Sequence, residues 1–268
     1  MMQDSFDSLS DWQALVDLYL LPLALALAVV SVGVSLRYRR GNASPMSAAA
    51  IRRNWLLALV AVVAFALLWV LGYLIAAGKA GYGLDIAIAA WARDRISSPV
   101  LVFLSHLTEA GSTVWLTIVG VSMSVWQWLR GRPAVGFACI AAGAANGLTI
   151  RALKAEFARV RPEHLQEIVS ESSYSYPSGH AAGSILVYGL LAWLVTRDLP
   201  PRRRLPAFCL ALVAVVAIAT TRVLLQVHYL TDVVGGMLLG LSMLALAVVW
   251  IRSRERRGAG QLATEVNA

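Results

Sequence analysis

Three short polar stretches of this chain combine residue types that hold an anion with residue types that move a proton or attack. The first is Ser175-Tyr176-Pro177-Ser178-Gly179-His180, which opens directly onto the apolar run 181–195. Pro177 interrupts what precedes it and presets a helix start. Ser178 stands where a hydroxyl meets the unpaired N–H groups of a first helical turn. Gly179 leaves room for a bound group to approach the backbone. His180 falls in the first turn, near the positive end of the helix dipole, a natural place for an anion and for phosphate above all. Alone, the stretch reads equally well as a capped helix with an incidental histidine.

The second stretch is Lys154, six further residues, then Arg161-Pro162. Seven positions make about two helical turns, so the two cations share a face if the helix persists that far. Arg161 offers a planar fork matched to phosphate oxygens, and Lys154 a mobile point charge. Long basic side chains at a membrane edge also serve as headgroup anchors, and alone this pair reads that way. The third stretch is Arg222, His228 and Asp232. His228 and Asp232 are four apart, so a helix start there places both on one face within hydrogen-bond reach. A carboxylate that accepts the proton of one imidazole nitrogen leaves the other free as base or nucleophile. The ordinary alternative is a satisfied His–Asp pair bridging two helices. Ionisable groups at the membrane edge are costly, which favours the functional reading.

The elements that position these residues are apolar spans. Of 268 residues, 59% are hydrophobic and only 14% are charged. A soluble domain of this length is far less apolar, so the composition indicates a polytopic membrane protein. The net charge is +8. Most basic residues flank apolar runs, which signals topology, and no basic stretch interleaves with aromatics, which argues against nucleic acid. Cys139 and Cys209 both lie inside apolar runs and imply no disulfide framework or cysteine metal site. No motif or carboxylate cluster calls for a metal, and no cofactor is expected.

Runs close to the ~20 residues needed to cross a bilayer fall at 18–36, 55–77, within 100–129 (where Gly111 and Ser112 mark a candidate late start, with Glu109 outside it), and at 134–153, 180–196, 207–225 and 232–250. Residues 84–96 read as a short helix in the outer interface, with Trp91 as anchor. The acidic segment 1–17 precedes the first run and Arg37, Arg39 and Arg40 follow it, so the sequence predicts a retained span with its N-terminus outside. Basic clusters at 130–132, 197–204 and 252–257 then fall inside, as does the C-terminus. Lys154, Arg161, His180, Arg222, His228 and Asp232 all fall at outer ends. The expected organisation is 1–53 as tail, extra span and basic loop, 54–251 as a six-span core, and 252–268 as a basic, disordered cytoplasmic tail.

Together the three stretches resemble the type-2 phosphatidic acid phosphatase family, the lipid phosphate phosphatases. Lys154…Arg161-Pro162, Pro177-Ser178-Gly179-His180 and Thr221-Arg222…His228…Asp232 follow the family pattern in order. Thr221 stands where the family has Ser and keeps the hydroxyl. The resemblance spans about 54–250 and implies an all-α transmembrane bundle, with a six-helix phosphatase core and one extra N-terminal span. Soluble vanadium haloperoxidases carry the same site, but the apolar spans argue against that branch.

The resemblance further implies metal-independent phosphoryl transfer through a phosphohistidine in a multi-pass cell-membrane enzyme. His228 would be the nucleophile, Asp232 its orienting carboxylate, and His180 the acid and then the base. Lys154, Arg161, Arg222, the Ser178 hydroxyl and the Gly179 N–H would bind phosphate. The partner would be a lipid phosphate in the bilayer: a polyprenyl diphosphate, phosphatidylglycerophosphate or phosphatidic acid. Transfer to another lipid acceptor instead of water is the alternative within enzymes. A lipid or anion transporter is the alternative outside them, though transport needs cations and no nucleophile.

Overall fold

The structure, a computed structural model, describes residues 48–162 and 173–266. The run expected at 18–36 and its loop up to residue 47 lie outside the described residues, as does the segment 163–172, while Arg52 and Arg53, expected to close that loop, stand in the first turns of a helix. What is described is helical. Helix α1 is Ala48–Ala76, α2 Tyr82–Arg95, α3 Ser98–Thr108, α4 Thr113–Leu129, α5 Pro133–Phe157, α6 Gly179–Thr196, α7 Pro201–Leu224 and α8 Leu230–Val266. The backbone of α8 stays helical beyond residue 252, where the sequence places the start of a disordered tail. Among the described residues, five segments are long and apolar enough to cross a membrane: Ile51–Ala76, Pro133–Phe157, Gly179–Thr196, Pro201–Leu224 and Leu230–Glu255. Leu59, Leu67 and Val70 of α1 and Leu210, Leu212 and Val213 of α7 are more than half exposed, as helix faces turned to lipid are.

The helix expected within 100–129 starts late, at the position that Gly111 and Ser112 mark. Between 98 and 129 the chain forms α3, a 3₁₀ turn at Glu109–Gly111, and then α4. Ser112 leaves the helical region (φ −65°, ψ 152°) and its Oγ accepts the Trp115 N–H at 3.3 Å to restart the helix. Tertiary packing accounts for the break. A Cβ at Gly111 would overlap the Ile218 side chain and come within 3.1 Å of His180 Cδ2. The turn therefore passes its backbone against the N-terminal half of α6, which a helical side chain would prevent. It also ends α3 at Thr108, whose hydroxyl is used below.

Helix α6 lies at the centre. Of its apolar window 56% is buried, against 28% for α5 and for α7. Leu190, Trp193 and Leu194 of α6 pack with Leu116 and Met123 of α4, Val135, Ala138 and Cys139 of α5, and Val248 and Ile251 of α8. Helix α8 approaches α6 through Gly236-x-x-x-Gly240. A Cβ at Gly236 would collide with the Ser178 carbonyl oxygen, and one at Gly240 would lie 2.5 Å from that of Ala182. Small residues four apart on a helix let two backbones touch, and dispersion and shape then hold them where lipid supplies no hydrophobic drive. This contact fixes the first turn of α6, which carries His180, against the first turns of α8, which carry Asp232.

Candidate active site

All three polar stretches meet at the ends of α5, α6, α7 and α8. The turn between α7 and α8 sets His228. Gln226 takes a left-handed φ of 57°, which folds the chain back so that the N–H groups of Val227 and His228 both donate to the Arg222 carbonyl at 3.2 Å. Arg222 and His228 thus share one turn. The Arg222 side chain is 1% exposed and donates to Thr108 Oγ1 at 3.1 Å.

The helix expected to hold His228 and Asp232 on one face begins after His228, at Leu230. The pair forms nonetheless. His228 Nδ1 lies 3.6 Å from Asp232 Oδ2, with Asp232 wholly buried and accepting the Tyr229 N–H at 2.8 Å. Asp232 acts as the helix-starting acceptor and so is held by the backbone it starts. The helix expected to carry Lys154 and Arg161 on one face also stops short. It ends at Phe157, and Ala158 turns left-handed at φ 40°. The two cations converge by another route, on residues 173 and 174. Lys154 Nζ donates to Ser173 Oγ at 2.9 Å and to the Tyr174 carbonyl at 2.5 Å. Arg161 Nε donates to the Ser173 carbonyl at 2.7 Å, and its Nη1 to the Val227 carbonyl at 2.5 Å.

Arg161 Nη1 also lies 3.3 Å from His228 Nε2. A guanidinium only donates, so in this contact Nε2 accepts and the ring proton sits on Nδ1, facing Asp232. That tautomer leaves the lone pair of Nε2 on the side where the cations gather. Burial lowers the His228 pKa to about 4, with the Arg161 and Arg222 charges adding to the fall and Asp232 opposing it. The imidazole therefore stays neutral through the pH range where a free histidine takes a proton. Once substrate ionisation is allowed for, the acid limb of kcat/KM set by His228 is expected near pH 4. A limb at the ordinary histidine value, shifted by Asp232→Asn, would contradict this.

Ser178 is the N-cap of α6, as the sequence predicts, but its side chain makes no cap hydrogen bond. The residue is fully buried and its Oγ meets no partner among the described residues. Its backbone is committed instead, with the Ser178 N–H donating to the Asp232 carbonyl at 2.9 Å. A buried hydroxyl without a partner is costly unless a ligand supplies one. Next to it, a side chain at Gly179 would meet nothing closer than Ile150 at 3.9 Å among the described residues. His180, half-buried in the first turn of α6, stands beside the Gly111 turn.

Three residues of this site lie outside the set expected from the sequence. Arg159 bridges two buried carboxylates, donating to Asp232 Oδ1 at 2.5 Å and to Asp85 Oδ2 at 2.8 Å, with its guanidinium 4.3 Å from the Tyr229 ring centre. Burial alone would weaken its charge, but Asp232 and Asp85 outweigh that and its pKa is raised. Asp85, from α2, also accepts from Thr231 Oγ1 at 2.5 Å. Ser175 donates to Asp232 Oδ2 and lies 3.4 Å from His228 Nδ1. The one sequence signal for Arg159 is its place two residues before Arg161. Asp85 reads as an interfacial charge until the fold buries it at 2% exposure.

The profile of the PAP2 superfamily matches residues 134–256. The chain is 30% identical over 145 residues to phosphatidylglycerophosphatase B of Bacillus subtilis (strain 168), an alignment that covers 53% of this chain and 71% of that protein. It superposes with a TM-score of 0.60, at 27% identity, on the crystal structure of a transmembrane PAP2-type phosphatidylglycerolphosphate phosphatase from Bacillus subtilis, covering 70% of this chain and 94% of that one.

Proposed function

The chain belongs to the PAP2 superfamily, and on that premise we propose that it is an integral-membrane lipid phosphatase working through a phosphohistidine. The observation that carries the reading is the position of His228, with Nδ1 3.6 Å from Asp232 Oδ2 and Nε2 3.3 Å from Arg161 Nη1. An incoming phosphate takes the Arg161 donors and exposes the Nε2 lone pair to phosphorus. Nε2 forms the P–N bond while the P–O bond to the lipid breaks, and His180 gives the leaving oxygen its proton. Asp232 stabilises the cationic ring. His180, now neutral, takes a proton from water, which attacks phosphorus and releases inorganic phosphate with His228 restored. Lys154, Arg161, Arg222, the Ser178 hydroxyl and the Gly179 N–H neutralise the equatorial oxygens throughout. A transporter has no use for such a nucleophile.

The substrate class is a lipid phosphate monoester or diphosphate. The named relatives act on phosphatidylglycerophosphate, which makes it the first choice, ahead of a polyprenyl diphosphate or phosphatidic acid. Purified protein is expected to release phosphate from that lipid at an undiminished rate in EDTA, because side chains supply every cation in the proposed chemistry. Activity that EDTA abolishes and Mg²⁺ restores would sink the mechanism. Lipid phosphorylated in step with substrate loss, without free phosphate, would make the protein a phosphotransferase.

The site faces the outer side of the membrane in this reading, because the arginine clusters gather at the opposite helix ends. Lys79, in the turn after α1, and Asp198, after α6, are both exposed. In a Cys209→Ser background, Lys79→Cys is expected to label from outside intact cells and Asp198→Cys only after permeabilisation. The reverse pattern would invert the orientation.

A further inference from the structure

The end of α6 remote from His180 carries a second concentration of cations. His180 lies in the first turn of α6 and Arg197 is its C-cap, so about 25 Å of helix separates the two. Around Arg197 is a hollow of about 260 Å³, lined by Arg53, Arg132, Arg204 and Arg252 as well, with Asp198, Glu255 and Trp193. The five arginines come from five different elements: α1, the turn before α5, the end of α6, the start of α7, and α8.

Among the described residues, five guanidiniums and two carboxylates line this hollow. Arg197 pairs with Glu255 at 2.9 Å and Arg132 with Asp198 at 3.7 Å. Arg204 is committed to carbonyl groups, those of Leu199 at 2.7 Å and Arg197 at 2.9 Å, which orient it without neutralising it. Arg197 and Arg252 each lie 5.6 Å from the Trp193 ring centre, so one indole holds two cations towards the same hollow. The Arg197 side chain is only 8% exposed, which leaves water little part in screening it. Cations held this close repel one another unless an anion shares them.

We propose that this hollow binds the phosphate of an anionic phospholipid from the leaflet opposite the active site. Planar forks from several helices suit the oxygens of a phosphodiester. Basic pockets between membrane helices at the cytoplasmic side are suited to anionic headgroups. Acyl chains have a surface beside it, since Trp55 and Leu56 lie within a turn of Arg53 and are 52% and 55% exposed, and Phe137, just past Arg132, is 60% exposed. A free phosphate offers the hollow the same oxygens but leaves that apolar surface unused. The proposal does not depend on the phosphatase reading.

The test is lipid retention by the purified full-length protein, measured by native mass spectrometry in micelles doped with phosphatidylglycerol or phosphatidylcholine. Phosphatidylglycerol is a phosphodiester and offers the catalytic end no terminal phosphate to cleave. One phosphatidylglycerol is expected to stay bound where phosphatidylcholine does not, and Arg53→Gln/Arg252→Gln should weaken it about tenfold or more. If the double variant does not fold, the surface change Arg53→Gln alone should weaken retention in the same direction. Lys154→Met, at the catalytic end, should leave retention unchanged. Equal retention of the two lipids, or loss in Lys154→Met with none in the arginine variants, overturns the proposal. Inorganic phosphate that displaces the lipid and alone raises the melting temperature of wild type, but not of the double variant, replaces the lipid with a soluble anion and overturns it too.

Discussion

His228→Ala is expected to abolish turnover and leave no acid-trappable phosphoenzyme, whereas His180→Ala accumulates that phosphoenzyme from an activated aryl phosphate. The difference follows from the order of steps. Without the His228 imidazole no P–N bond forms, and loss of a nucleophile costs on the order of 10⁴-fold or more. Without His180, an aryloxide of low pKa still leaves unaided, so the first step survives. The second step needs a base to activate water, and the intermediate persists. Rapid acid quenching with radiolabelled substrate reads both outcomes. Label on His228→Ala and none on His180→Ala would exchange the two assignments.

The second large effect is expected at Arg159. Its guanidinium is the shared counter-ion of Asp85 and Asp232, which are 2% and 0% exposed. Removing one partner of a buried ion pair leaves an uncompensated charge and costs about 3–5 kcal/mol. Arg159→Leu strands two carboxylates at once, so a thermal melt in detergent should show a large loss of stability together with loss of activity. Asp232→Asn separates the two consequences. It keeps the shape, so the fold should survive, but an amide facing Nδ1 no longer enforces the productive tautomer or stabilises the imidazolium. By the precedent of buried aspartates behind catalytic histidines, the rate should drop on the order of 10⁴-fold. An Arg159→Leu protein that melts like wild type and turns over normally would show that the trio bears on neither property.

How far the sequence led differs from residue to residue. The membrane helices were legible because length and apolarity are local properties, and the five candidate spans overlap the runs read from the sequence. The break at Glu109–Gly111 was legible in part, because Gly111 and Ser112 mark a helix start locally, but its cause was not, because it answers to Ile218 and His180, both far along the chain. His228 and Asp232 were legible as a pair because they are four apart, although the helix that joins them starts two residues later than expected. Asp85 and Arg159 are 74 residues apart, and no periodicity links positions at that distance. At Ser178 the local rule named the position and missed the use. The residue caps α6 in sequence, yet its hydroxyl makes no cap hydrogen bond and its N–H is given to Asp232.

That last bond bears on the order in which the protein is made. Ser178 donates to the Asp232 carbonyl, and Gly236 and Gly240 seat the last helix directly on the backbone of α6. In the proposed chemistry, the phosphate-binding Lys154 and Arg161 and the acid His180 leave the ribosome well before His228 and Asp232. A nascent chain that has inserted every segment up to α7 would then carry the proposed phosphate ligands but no oriented attacking group. Helix α8 brings the carboxylate, the anchor for the start of α6 and the packing that holds both. On the proposed mechanism competence would arrive in one event, with insertion of the final span, and a stalled or truncated chain would be chemically silent.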